Sequence, residues 1–135
     1  VASPANFIKP GKRPLSSMGP VIILNSTTNK VKLVLGGIGG SRIPTATAYV
    51  AVWYLWLGEN IQTAIYNPRL HHQLLPNVIV QYGDFPKNIL RGLSSIGHNI
   101  KYAYDFMDMV QAISEINGTL EAACDYRRIC GTDGY

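Results

Sequence analysis

The stretch VKLVLGGIGGSRIPTATAYV, residues 31–50, changes character three times along its length. Val31–Leu35 is a β-branched and aliphatic run of the kind that fits a strand. The glycine-rich residues 36–40 follow. Pro44 then opens an apolar segment, and proline is tolerated in a helix only at its first turn. Strand, glycine turn and helix in this order predict a helix from Pro44 to Leu57. That segment is apolar nearly all round, which predicts burial between layers, with Trp53 and Trp56 as core residues.

The flanks extend this pattern. Pro20–Leu24 reads as a strand, and the polar residues 25–30 as a turn making a hairpin with Val31–Leu35. Beyond Gly58 a second helix runs from Asn60 to Tyr66 and stops before Pro68. PRLHHQLLPN, residues 68–77, reads as a loop that Arg69, His71 and His72 buttress. Residues 78–82 read as a strand, Pro86–Ile96 as a helix, and Ile100–Tyr104, Val110–Ile116 and Leu120–Tyr126 as strands. Turns are expected at Asp105–Asp108 and at Asn117-Gly118, a strong hairpin signal. The whole is a mixed α+β layered domain preceded by an irregular Pro- and Gly-rich entry, residues 1–19.

With 135 residues, 47% hydrophobic and 15% charged, the chain suits one globular domain. Its net charge of +4 is dispersed: Lys9, Lys12 and Arg13 lie near one end, Arg127 and Arg128 near the other. No basic stripe with interleaved aromatics exists, which excludes nucleic-acid binding. The longest apolar run, Ala46–Leu57, falls short of the roughly twenty residues that span a bilayer. The opening VASPANFIKP has no apolar signal core. Cys124 and Cys130 do not form C-x-x-C and have no histidines at ligand spacing, so no metal site is expected and a local disulfide stays open. The sequons at Asn25 and Asn117 favour a secretory route.

Residues 36–40 fit neither G-x-G-x-x-G, since Arg42 stands where the third glycine belongs, nor a phosphate loop, since no lysine follows. What remains is a glycine turn before a helix N-terminus. It could be a tight packing turn, or it could offer bare N–H groups to an anion or oxyanion. Ser16 and Ser17, in PLSSMGP, are similarly ambiguous between local caps and donors to a carboxylate. As a nucleophile either serine lacks G-x-S-x-G, and its base would have to be His71, His72 or His98. Asp125 and Arg127, two apart on the expected last strand, read as a structural ion pair.

Four stretches together, SPANFIKPGKRPLSSMGP, LVLGGIGGSRIPTATA, NPRLHHQLLPN and DYRRICGTDGY, resemble the small, catalytic subunit of the γ-glutamyltransferase (glutathione hydrolase) family over nearly the whole chain. The resemblance implies part of an αββα N-terminal-nucleophile hydrolase fold, matured by self-cleavage. It implies γ-glutamyl transfer or hydrolysis through an acyl-threonine, with glutathione or another γ-glutamyl compound as donor and an amino acid, a peptide or water as acceptor. Ser16 and Ser17 would hold the α-carboxylate of the glutamyl group, two hydroxyls matching two oxygens. Gly39 and Gly40 would form the oxyanion hole. No metal or organic cofactor is implied; the large subunit of the same precursor is the expected partner, and the location extracellular.

The departures from the family pattern are specific. No Thr-x-His occurs and Val1 has no hydroxyl, so residues 1–135 resemble the later portion of the small subunit without its nucleophile. This chain alone is expected to be inactive. Gly19 replaces a cysteine common after the serine pair, Pro44 replaces a threonine, and RRICG differs from the usual ending. The rival expectation is a catalytically inert secreted member that binds without turnover. A serine hydrolase using Ser16 or Ser17 is a third.

Overall fold

The computed structural model describes residues 3–15, 18–103 and 108–134. In chain order the regular elements are β1 (Val21–Leu24), β2 (Val31–Ile38), α1 (Ile43–Leu55), α2 (Ile61–Tyr66), β3 (Arg69–His71), β4 (Ile79–Tyr82), α3 (Lys87–Ser95), β5 (Ile100–Tyr102), β6 (Met109–Ile116) and β7 (Thr119–Cys124). Short 3-10 turns occupy Pro4–Asn6 and Gly40–Arg42.

β1 and β2 form the expected hairpin. Its turn is held by Asn25, whose Oδ1 accepts from the Thr27 and Thr28 amides at 2.9 and 3.0 Å. Asn117 and Gly118 both take positive φ, 52° and 86°, which is the backbone a two-residue hairpin between β6 and β7 requires. The resulting antiparallel sheet has the order β1-β2-β6-β7. A second sheet, β3-β4-β5, pairs β3 and β4 antiparallel and joins β4 to β5 in parallel, with α3 between them in sequence.

Alternation explains which face of the larger sheet is covered. Leu33, Leu35, Val110, Ala112 and Ala123 point to one side, where Ala46 and Val50 of α1 and Ile61, Ala64 and Ile65 of α2 bury them. Each large aliphatic side chain taken from water in this layer stabilises by roughly 1.5–3 kcal/mol. On the other face the register aligns Ile22, Val34, Ile113 and Ala122 in one row across all four strands. All of these are exposed.

Several expectations need revision. β2 does not stop at Leu35: its ladder with β6 continues through Gly36, Gly37 and Ile38. The close approach makes this possible, because a Cβ on Gly37 would run into the Met109 carbonyl. Residues 68–77 are not all loop, since β3 forms there against β4. Trp56 is not a core residue; it is 72% exposed, whereas Trp53 packs on the core. α1 accordingly buries one face, with Val52 and Trp56 outside it. The last strand ends at Cys124, so Asp125 and Arg127 lie beyond it. The expected strand at Ile100–Tyr104 is seen as β5, with Tyr104 outside the described residues, as are residues 105–107 of the expected turn. Cys124 and Cys130 form a disulfide, with Cα atoms 6.2 Å apart. No helix among the described residues is long and apolar enough to cross a membrane.

Candidate functional site

The glycine turn joins β2 to α1. Gly39 has φ 137° and Gly40 φ 61°, values that side chains of L residues rarely adopt. The turn closes through the Arg42 amide, which donates to the Gly39 carbonyl at 3.2 Å. Neither the Gly39 nor the Gly40 N–H meets a protein acceptor among the described residues. α1 begins three residues on, with no acidic residue in its first turn. Two free N–H donors beside the positive end of a helix suit an anion. Ser16 and Ser17 lie outside the described residues. Gly19, just after them, does not: a Cβ there would come within 3.0 Å of Ile43 Cγ2, at the first residue of α1.

The smaller sheet and the segment just after β3 hold the turn and the first turn of α1 at three points. Ser41 Oγ donates to Gln73 Oε1 at 2.9 Å. The Arg42 guanidinium stacks over the Tyr82 ring, 5.5 Å from its centroid. Thr45 Oγ1 lies 2.8 Å from His71 Nδ1. A cavity of about 270 Å³ sits among Ser41, Arg42, His71, Gln73 and Val80. Burial pushes the Tyr82 phenol above its ordinary value; Arg42 opposes this, Asp108 adds to it, and Arg69 opposes it.

Behind the turn, next to the Ile38–Met109 end of the ladder, is a buried charge network. Arg69, 1% exposed, donates from Nε to Asp108 Oδ2 at 3.1 Å and from NH2 to Asp125 Oδ2 at 2.6 Å. Its NH1 donates to the Ile65 carbonyl at 2.9 Å. Arg127 donates to Asp125 Oδ1 at 2.9 Å and to the carbonyls of Ile65, Tyr66 and Asn67 at 3.0, 3.1 and 2.9 Å. Two arginines thus satisfy the carbonyls at the C-terminus of α2, where cations are favoured. Asp125 also accepts the Val110 amide at 3.2 Å, which fixes the network to β6.

The Asp125–Arg127 pair was expected, though it forms around a bend rather than across strand positions. Arg69, His71 and His72 do not act together. Arg69 serves the charge network, His71 faces Thr45 and Gln73, and His72 bonds Asn77 Oδ1 at 3.1 Å. Sequence reasoning missed Asp108, Gln73, Thr45 and Tyr82. The signal within reach was Arg-x-His, residues 69–71, whose alternation would place both side chains on one face of a strand.

A family profile described as Gamma-glutamyltranspeptidase matches residues 1–135. The chain is 46% identical over 134 residues to Scoloptoxin SSD20 of Scolopendra dehaani, covering 98% of this chain and 68% of that protein. It is 41% identical over 130 residues to Glutathione hydrolase proenzyme 1 of Schizosaccharomyces pombe, covering 93% of this chain but 20% of that protein. Among solved structures it is similar to the Gamma-glutamyltranspeptidase from Pseudomonas nitroreducens, with a TM-score of 0.85 and 36% identity, covering 100% of this chain and 71% of that one. The chain therefore spans a fifth of one curated relative and about two-thirds of another.

Proposed function

The chain belongs to the γ-glutamyltranspeptidase family, and on that premise we propose that it supplies the oxyanion hole and part of the glutamate pocket of a γ-glutamyl transferase or hydrolase. Its fold is the mixed α+β fold of N-terminal-nucleophile hydrolase structures. The carrying observation is the glycine turn: the Gly39 and Gly40 N–H groups have no protein acceptor among the described residues and sit before a helix N-terminus. Such donors stabilise the negative charge that develops on the γ-glutamyl carbonyl when a nucleophile attacks it.

In this reading a threonine supplied by the rest of the protein attacks the γ-carbonyl, and its carbonyl oxygen takes up the charge at Gly39 and Gly40. Collapse of this intermediate breaks the γ-amide bond and releases the donor's amine with a proton. The resulting acyl-threonine passes its γ-glutamyl group to water, an amino acid or a peptide, restoring the threonine hydroxyl. Ser16 and Ser17 donate to the α-carboxylate of the glutamyl group, with glutathione the expected donor. The contact of Gly19 with Ile43 supports this, because it keeps the chain after the pair at the first turn of α1. The large subunit is the proposed partner. The row Ile22, Val34, Ile113 and Ala122 on the uncovered sheet face suits a further layer of structure. The disulfide and the sequons at Asn25 and Asn117 suit an extracellular setting.

A second reading is an inert secreted member that binds without turnover. It is favoured by the likeness to Scoloptoxin SSD20 and by 46% identity over 77 residues to Putative inactive glutathione hydrolase 4 of Arabidopsis thaliana.

The test is release of a chromophore from a γ-glutamyl anilide, by the full-length gene product and by residues 1–135 alone. The expected result is turnover by the former and none by the latter. Ser16→Ala and Ser17→Ala in the full protein should each lower kcat/KM by about ten- to a hundredfold, the range of one hydrogen bond to a charged group. Turnover by residues 1–135 alone would overturn the acyl-threonine reading. Silence from an intact, self-cleaved full protein would favour the inert one.

A further inference from the structure

Two of the three ties on the glycine turn pass through one buried imidazole, and their protons can be counted. His71 is 5% exposed. Its Nδ1 faces Thr45 Oγ1 at 2.8 Å and its Nε2 faces Gln73 Oε1 at 3.0 Å. The Thr45 hydroxyl has a single proton, which it donates to the Arg42 carbonyl at 2.9 Å. Gln73 Oε1 can only accept, and already accepts from Ser41 Oγ. The amide orientation is set by its other end, since Gln73 Nε2 donates to the Leu75 carbonyl at 3.1 Å.

All these contacts are hydrogen bonds at once only if both ring nitrogens of His71 donate. In the neutral ring, Nε2–H keeps the bond to Gln73. Nδ1 then accepts the Thr45 proton, and the Arg42 carbonyl loses that donor. One proton on His71 therefore decides whether Thr45 grips the residue that closes the turn. From α1 the imidazole meets Thr45, and from the turn Arg42 shares its cavity. From β4 its register partner is the uncharged Val80. No carboxylate among the described residues pairs with it.

We propose that His71 is the positioning residue of the Gly39–Gly40 turn, holding Ser41 through Gln73 and Arg42 through Thr45. This deepens, and rests on, the reading of the turn as the oxyanion site. A histidine that only filled space would have no preferred tautomer tied to Gln73. The one required here is Nε2–H.

The experiment uses residues 1–135 labelled with nitrogen-15. Ring-nitrogen shifts of His71 report its tautomer, and amide exchange of Arg42, which donates to the Gly39 carbonyl, reports closure of the turn. In the wild type, the neutral ring carries its proton on Nε2, and Arg42 exchange is slow because the turn is closed. Gln73→Met should let the Nδ1–H tautomer appear, which donates to Thr45 Oγ1 and returns the Thr45 proton to the Arg42 carbonyl. Arg42 exchange should then be up to about tenfold slower than in Ser41→Ala, the gain of one net hydrogen bond. Ser41→Ala, at an exposed position, should speed the same exchange without changing the tautomer. His98→Gln, at an exposed imidazole elsewhere, should change neither. A wild-type Nδ1–H tautomer, or Arg42 exchange no slower in Gln73→Met than in Ser41→Ala, overturns the role of His71. Separately, addition of a γ-glutamyl anilide should move the Gly39 and Gly40 amides. If those stay still while the tautomer and exchange results hold, the oxyanion reading fails and the brace remains.

Discussion

Replacing Arg69 with methionine isolates the buried charge network. Arg69 and Arg127 balance Asp108 and Asp125, and the substitution leaves one negative charge in excess. Asp125 keeps Arg127 NH1 at 2.9 Å and the Val110 amide at 3.2 Å. Asp108 fares worse. Its Oδ1 has no partner among the described residues, and its Oδ2 bond to Arg69 is lost. The Ile65 carbonyl also loses one of its two donors. Stranding one member of a buried pair costs about 3–5 kcal/mol. A domain of this size has roughly 7–20 kcal/mol in total at 0.05–0.15 kcal/mol per residue. In urea titrations followed by tryptophan fluorescence, with a slope of about 2 kcal/mol per molar, the midpoint should fall by about 2 M. Adding Asp108→Asn to Arg69→Met should recover at least about 1 kcal/mol, because the stranded charge is removed with its partner. A loss under about 1 kcal/mol, the level of exposed pairs, would refute the reasoning, and so would a double variant no better than the single one.

Neighbouring glycines should respond differently: Gly37→Ala forces a methyl into the Met109 carbonyl and should cost about 2 kcal/mol, whereas Gly36→Ala enters open space and should be near neutral in a thermal melt. Tyr82 gives an alkaline signature. Its folded phenol titrates above the usual 10.0, so the unfolded chain loses that proton first and stability falls as pH rises past about 10. Tyr82→Phe should remove that limb from urea midpoints measured between pH 8 and 11, and should change little at pH 7 because Oη has no partner among the described residues. Paired Cys124→Ala and Cys130→Ala should cost about 2 kcal/mol, the loop-closure entropy of so short a ring, read as a lowered midpoint against the oxidised chain.

What could be read in advance was what local chemistry dictates. The β1–β2 and β6–β7 hairpins, the helix opened by Pro44 and the Asn117-Gly118 turn follow from alternation and from residues that accept unusual backbone angles. β3 was not legible: three residues carry no period, and it exists only because β4 lies beside it. Arg69 read as a loop buttress beside His71 and His72, since nothing near it in sequence announces that Asp108 and Asp125 will converge on it. Trp56 misled in the opposite direction, because an apolar helix says nothing about where its covering layer stops. Of the candidate site, the glycine turn at residues 36–40 stood out by its setting between strand and helix, and the family resemblance singled out Gly39 and Gly40 within it. Their supports at Thr45, His71 and Gln73 did not stand out, being brought together across 26 and more positions of chain.

Arg127 fastens the segment after β7 to the C-terminus of α2, so shortening residues 1–135 back toward it should have strongly uneven effects. An exopeptidase acting on the isolated 1–135 polypeptide could remove residues 129–134, which are exposed, with little penalty beyond the cystine. One step past Arg128 it would withdraw the guanidinium that caps three consecutive carbonyls of α2 and uncover Asp125 together with it. Trimming should therefore show a plateau of intact material and then abrupt collapse, with the cliff at residue 127.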